Sequence, residues 1–129
     1  MAGWHGADPR PPVWVGHIAL GVADPDASKE FFLALGMRDA APDSKVPILE
    51  LRGGTHLILL ATDSPPERGT RAPFDLMVDD IDRAHRSFDK LGFEPSAIEK
   101  SAVHRSFTLS EPGGYEIVVN STHATDLPV

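Results

Sequence analysis

The feature of this sequence that most restricts its fold is an internal repeat. A Gly-Gly-x-His segment at residues 53–56 precedes one apolar run, and a Gly-Gly-x-Glu segment at 113–116 precedes another. Val22 and Val78 are each followed by a glycine 14 residues later, so the segment from valine to glycine has the same length in both copies. Two copies predict one closed domain of two similar modules, because a solenoid needs about three repeats or more.

Composition excludes several classes of function. A chain of 129 residues with a net charge of −7 has no basic patch with which to hold nucleic acid. Without cysteine it has neither disulfides nor thiolate metal ligands. No apolar stretch approaches the roughly 18 residues of a membrane span, and the first residues lack the apolar core of a signal peptide. We therefore expect a cytoplasmic protein without a nucleic-acid or membrane partner.

Each copy predicts a β-α-β-β-β module. The apolar segment 13–22 reads as a strand that leads into a helix, because Asp24 is a typical N-cap and Pro25 fits the first helical position. Gly36 is placed to end this helix in a left-handed conformation. Extended segments and glycine turns follow the helix in both copies.

These patterns divide the chain into a single domain with short ends. The predicted parts are a flexible N-terminal arm at 1–12, module one at 13–61, a linker at 62–72, module two at 73–120 and a C-terminal tail at 121–129.

The quoted motifs resemble those of a known family. The Gly-His-Ile-Ala-Leu-Gly-Val segment at 16–22, the Gly-Gly-x-His turn and the Glu-Pro-Gly-Gly-Tyr-Glu segment at 111–116 are similar to the vicinal oxygen chelate superfamily. This superfamily includes glyoxalase I, bleomycin resistance proteins, fosfomycin-resistance enzymes, methylmalonyl-CoA epimerase and extradiol dioxygenases. The resemblance implies an α+β fold in which two β-α-β-β-β modules form a curled mixed sheet, a homodimer and a small-molecule ligand.

The resemblance also implies metal ligands on the first and last strand of each module. Carried over to this chain, the positions are His17, His56 and Glu116, and the fourth position is Pro73, whose side chain cannot bind a metal. Two imidazoles and one carboxylate suit Zn, Fe, Ni, Co or Mn and leave coordination positions open. Glu116 is also the candidate catalytic base if it leaves the metal.

Three further residues are candidates for the substrate pocket. Asp75 lies two residues beyond Pro73 and shares its strand face, so it is a substitute ligand or a partner of a ligating histidine. His104 and Phe107 belong to a segment that the resemblance places along the cup, although Phe107 also fits a core position.

Three functions are compatible with this pattern. The first is a metal-dependent lyase or isomerase in which the ion polarises two neighbouring oxygens of a small substrate. The alternative is a metal-free drug- or small-molecule-binding protein of the bleomycin-resistance type, suggested by Pro73, whose net acidity favours cationic ligands. The third is a non-heme iron dioxygenase, because two histidines and a carboxylate are the ligands of such sites.

Overall fold

The computed structural model describes residues 6–129. Residues 1–5 of the predicted arm, His5 among them, lie outside the described residues. In chain order the elements are β1 (His17–Val22), α1 (Pro25–Leu35), β2 (Arg38–Asp39), β3 (Ile48–Glu50), β4 (His56–Ala61), β5 (Thr70–Arg71), β6 (Leu76–Val78), α2 (Ile81–Lys90), β7 (Glu99–Lys100), β8 (Arg105–Ser110) and β9 (Tyr115–Ser121). Within this range neither helix is long or apolar enough to span a membrane.

The strands form two mixed sheets, one from each copy of the repeat. The first sheet has the order β1-β4-β3-β2, with β1 parallel to β4 and the other pairs antiparallel. In the second sheet β7, β8 and β9 are antiparallel neighbours, while β5 and β6 both run parallel to β9. Together β5 and β6 therefore take the place that β1 has in the first sheet. The predicted α+β class and the paired β-α-β-β-β modules are confirmed.

Helix α1 begins and ends at the predicted residues because local groups satisfy its ends, and α2 begins with a cap of the same kind. Asp24 accepts a hydrogen bond from the amide of Ala27 at 3.2 Å, and Asp80 accepts one from the amide of Arg83 at 3.0 Å. Gly36 has a φ of 116°, which favours glycine, and its amide bonds back to the last turn of α1.

The two glycine turns have the same hydrogen-bond pattern. The amide of Gly54 donates to the carbonyl of Leu51 at 3.1 Å, and the amide of Gly114 donates to the carbonyl of Glu111 at 2.9 Å. Both glycines have positive φ, at 93° and 105°. Leu51 and Glu111 are thus equivalent positions in the two modules.

Aromatic rings join the two modules in one core. Phe31 and Phe32 of α1 lie 5.1 Å apart between ring centroids. Phe31 also packs at 5.1 Å on Phe93, and Phe32 at 6.4 Å on Phe74, both from the second copy. The buried side chains of the sheets include Leu20, Val22, Leu49, Leu57, Leu59, Phe107, Leu109, Ile117 and Val119.

Two strand boundaries differ from the predictions. The first strand begins at His17 rather than residue 13, and Val13 and Trp14 are 71% and 66% exposed. Their apolar character alone does not make a strand, since a strand forms only where a neighbour accepts its hydrogen bonds. The predicted linker 62–72 ends in β5, which pairs with β9, a contact made with residues far away in the chain.

Candidate functional site

Each sheet buries one face in the core and leaves the other face open to solvent or to a partner. In β1, Leu20 and Val22 are buried, whereas His17 and Ala19 point the opposite way and are exposed. Strand alternation and register extend these open faces across both sheets. The first outer face consists of His17, Ala19, Ile48, Glu50, His56, Ile58 and Leu60, and the second outer face of Arg71, Met77, Ser106, Thr108, Ser110, Glu116, Val118 and Asn120.

Two predicted site residues meet on the first outer face. His17 and His56 are register partners in β1 and β4, and their ring centroids lie 5.7 Å apart in an edge-on arrangement. Nε2 of His56 is 3.1 Å from Oε2 of Glu50, which also forms an ion pair with Arg38. Sequence reasoning missed Glu50. The signal for it was the glycine turn, because a hairpin centred there places residue 50 opposite His56.

The environment of Glu50 favours its ionised form. The hydrogen bond from His56, followed by the contact with Arg38, lowers the pKa of the Glu50 carboxyl below its ordinary value. Because the folded pKa is the lower one, this interaction stabilises the fold above the unfolded-state pKa of about 4.3. The stabilisation is lost as the pH falls through the folded-state pKa.

We therefore expect Glu50→Gln to reduce the dependence of stability on acid pH. Urea unfolding from about pH 7 to about pH 3 should show a stability difference between wild type and variant that shrinks as the pH falls. Glu99→Gln is the matched control, since Glu99 is exposed on a strand and has no side-chain hydrogen bond within residues 6–129. A difference that stays constant at all pH values would contradict the role of Glu50.

Glu116 has a different neighbour from the one predicted. Its register partner in β5 is Arg71, whose Nη2 lies 3.0 Å from Oε1 of Glu116. Further along, Leu76 pairs with Val119, so four residues at 72–75 stand opposite only two at 117–118. This two-residue bulge contains Pro73, which has no amide to donate to a ladder. Arg71 thus takes the position in module two that His17 takes in module one.

The predicted metal ligands do not come together within one chain. Among residues 6–129, no three His, Asp or Glu side chains form a group that could hold a metal ion. His17 and His56 are adjacent, but the Glu116 carboxylate is occupied by Arg71, a cation that opposes a second positive charge at the same oxygen. The side chains of a single chain do not fit the three-ligand site, which stays a prediction.

The three predicted pocket residues lie in separate places. Asp75 is exposed in the bulge before β6. His104 is half-buried just before β8, with Nδ1 3.5 Å from the hydroxyl of Ser121. Phe107 is 2% exposed and packs on Phe88 with ring centroids 6.1 Å apart, a core position. Contact of these residues with a substrate stays a prediction.

A cleft of about 800 Å³ lies between the two modules, and one residue of each outer face, Glu50 and Met77, lines it. Apolar side chains such as Leu35, Met37 and Phe88 line it, and Glu50 and Asp75 also reach it. The cleft therefore adjoins the His56–Glu50 contact.

Solved structures with the same fold include proteins of different kinds. A putative glyoxalase family protein from Bacillus anthracis matches with a TM-score of 0.71 and 15% identity over 88% of this chain and 98% of that one. An antibiotic binding protein from a Streptomyces species has a TM-score of 0.70 and 22% identity over 84% and 95%. A lactoylglutathione lyase from Agrobacterium tumefaciens has a TM-score of 0.69 and 18% identity over 87% and 96%. At these identities the likeness establishes the fold alone.

Sequence comparison gives the family. No curated protein sequence matches the chain. The family model of the Glyoxalase/Bleomycin resistance protein/Dioxygenase superfamily matches residues 14–119, which is nearly the whole of both modules. The chain therefore belongs to the glyoxalase/bleomycin resistance protein/dioxygenase superfamily.

Proposed function

We propose that this protein binds a small organic molecule without a metal ion. The observation that carries the proposal is the position of Arg71. It lies at the place equivalent to His17, the fourth ligand position of the family, and its guanidinium bonds to the carboxylate of Glu116. A guanidinium at that place binds oxygen atoms of a ligand directly, by charge-assisted hydrogen bonds.

The outer faces have the composition of a ligand site. Leu60 and Met77 are 45% and 59% exposed, and Ala19 and Val118 lie on the same two faces. Apolar side chains with a few polar groups beside them are typical of small-molecule sites. One structurally similar protein is named an antibiotic binding protein, which agrees with this class of function.

We further propose that a second copy of the chain closes the site. Strand β1 and the β5–β6 strand lie at the edges of their sheets, and an edge strand can pair with a strand of another chain. Val13 and Trp14, next to the β1 edge, expose apolar surface that a partner would cover. Pairing these edges in a two-fold dimer brings the first outer face of one copy beside the second outer face of the other.

A metal-dependent lyase or isomerase is the second candidate. It is favoured by the 5.7 Å separation of the His17 and His56 rings, which places two imidazoles side by side. In the proposed dimer, Glu116 of a second copy is the carboxylate that completes the set. A divalent ion held there would polarise two neighbouring oxygens of a substrate.

We expect Leu60→Glu to weaken ligand binding and dimerisation at least about tenfold, because it places a charge on the apolar part of the first outer face. Ligands found by thermal-shift screening should be titrated by calorimetry, and the dimer measured by light scattering. Val103→Glu is the matched control, since Val103 is 63% exposed and lies away from both outer faces.

The same titrations separate the two candidates. Affinity that is unchanged by a chelator supports metal-free binding. Affinity that is lost with the chelator and restored by a first-row metal contradicts it. Metal content that falls in His56→Ala would then assign that residue to the metal site.

A further inference from the structure

The second outer face carries a row of three polar side chains across its strands. Ser110 in β8 is the register partner of Glu116 in β9, which is in turn the partner of Arg71 in β5. We propose that Arg71 recognises an oxyanion, a carboxylate or phosphate group, of the bound small molecule. This inference rests on the proposed function and names the chemical class of its ligand.

The Arg71 guanidinium retains most of its hydrogen-bonding capacity. A guanidinium has five N–H donors, and the one side-chain bond of Arg71 within residues 6–129 is that from Nη2 to Glu116 at 3.0 Å. The Arg71 side chain is 68% exposed, so its remaining donors face outward. Glu116 fixes one edge of the guanidinium and leaves the other edge for the paired oxygens of an anion.

Hydroxyl groups on β8 add donors to the second outer face. Ser110 and Thr108 point to the second outer face, and neither hydroxyl bonds to a protein group in the described part of the chain. A hydroxyl can donate to an oxyanion as well as accept a hydrogen bond. These hydroxyls lie across β9 from Arg71, so they supply further donors on the same face, on the other side of Glu116.

The charges close to Arg71 decide whether the ligand is an anion or a cation. The net charge of −7 favours cationic ligands at long range. Charges beyond a Debye length of about 8 Å are largely screened at physiological salt. Within the row the more exposed charge is positive, since the Arg71 side chain is 68% exposed and that of Glu116 is 34% exposed. An anion therefore meets Arg71 before it meets the carboxylate.

The test compares four probes on wild type, Arg71→Met and Arg86→Met. Arg86 is an exposed arginine on α2 and is the matched control. Acetate and inorganic phosphate are titrated while the Nε–Hε resonance of Arg71 is followed by NMR, and the affinities of phenylacetate and phenylacetamide are measured by calorimetry. We expect acetate to shift the Arg71 resonance. Phenylacetate should bind about tenfold more tightly than phenylacetamide, a preference lost in Arg71→Met and kept in Arg86→Met.

Glu116→Gln supplies a readout that a purely structural role of Arg71 would not move. Removing the competing carboxylate should raise the affinity for acetate several-fold and leave the affinity for phenylacetamide unchanged. An Arg71 resonance that neither acetate nor phosphate shifts overturns the inference, as does equal binding of phenylacetate and phenylacetamide by wild type. If Arg71 responds to acetate but the thermal-shift screen finds no organic ligand, the proposed function fails while the anion site stands.

Discussion

A Phe32→Ala variant is expected to lose about 3–5 kcal/mol of unfolding free energy. Phe32 is 0% exposed, and its ring lies between Phe31 of the same helix and Phe74 of the second module. The deletion opens a cavity at the junction of the modules, so unfolding should occur at a lower urea concentration. Because the two modules share this core, they should unfold together in one transition.

Urea unfolding followed by circular dichroism and by the NMR amide resonances of each module measures this effect. Val103→Ala is the control, because Val103 is 63% exposed outside both outer faces and its truncation should change stability by no more than about 0.5 kcal/mol. Two separate transitions in the Phe32 variant would contradict a core shared by the modules.

A Ser28→Ala variant is expected to lose about 1.5–3 kcal/mol, because it leaves a buried carboxylate one donor short. Glu111 is 1% exposed and accepts hydrogen bonds from the hydroxyl of Ser28 and from the amide of Gly113, the latter at 2.8 Å. Ser87→Ala on α2 is the matched control, since Ser87 is exposed and alanine is the stronger helix former.

The repeat itself supplies the compensating change. Ser28 corresponds to Ala84, because each lies six residues after the valine that opens the repeat, Val22 or Val78. Glu111 corresponds to Leu51 at the matching glycine turn. The double variant Ser28→Ala/Glu111→Leu installs the residue pair of the other module. We expect it to recover part of the lost stability, because both partners of the Ser28–Glu111 bond become apolar while the half-buried amide of Gly113 loses its acceptor. A double variant as unstable as Ser28→Ala would contradict this explanation.

Features set by nearby residues could be predicted from the sequence. The cap at Asp24 and the glycine turns depend on side chains and φ angles within a few positions, and the structure has them where predicted. The arrangement of the strands in sheets was predicted from the family resemblance. The repeat spacing alone shows which elements of the two copies are equivalent, but not which strands pair with each other.

Features set by strand pairing were missed, although the sequence contained a local sign of each. The spacing from Val78 assigns Pro73 to the position that β5 and β9 give to Arg71, because spacing does not reveal where a ladder is interrupted. Pro73 was itself the local sign of an interruption, since it cannot donate an amide hydrogen bond. Glu50 was missed for a similar reason, because its relation to His56 exists only across the hairpin.

The length of the bulge before β6 has a consequence for how such a site can change. Side chains alternate between the two faces of a strand, so an odd number of extra residues would turn the remainder of the strand inside out. The two extra residues are an even number, and they leave Leu76 and Val78 packed against the core while a different side chain comes to stand beside Glu116. Insertions of even length can therefore exchange the chemistry of this surface and preserve the interior that holds the protein folded.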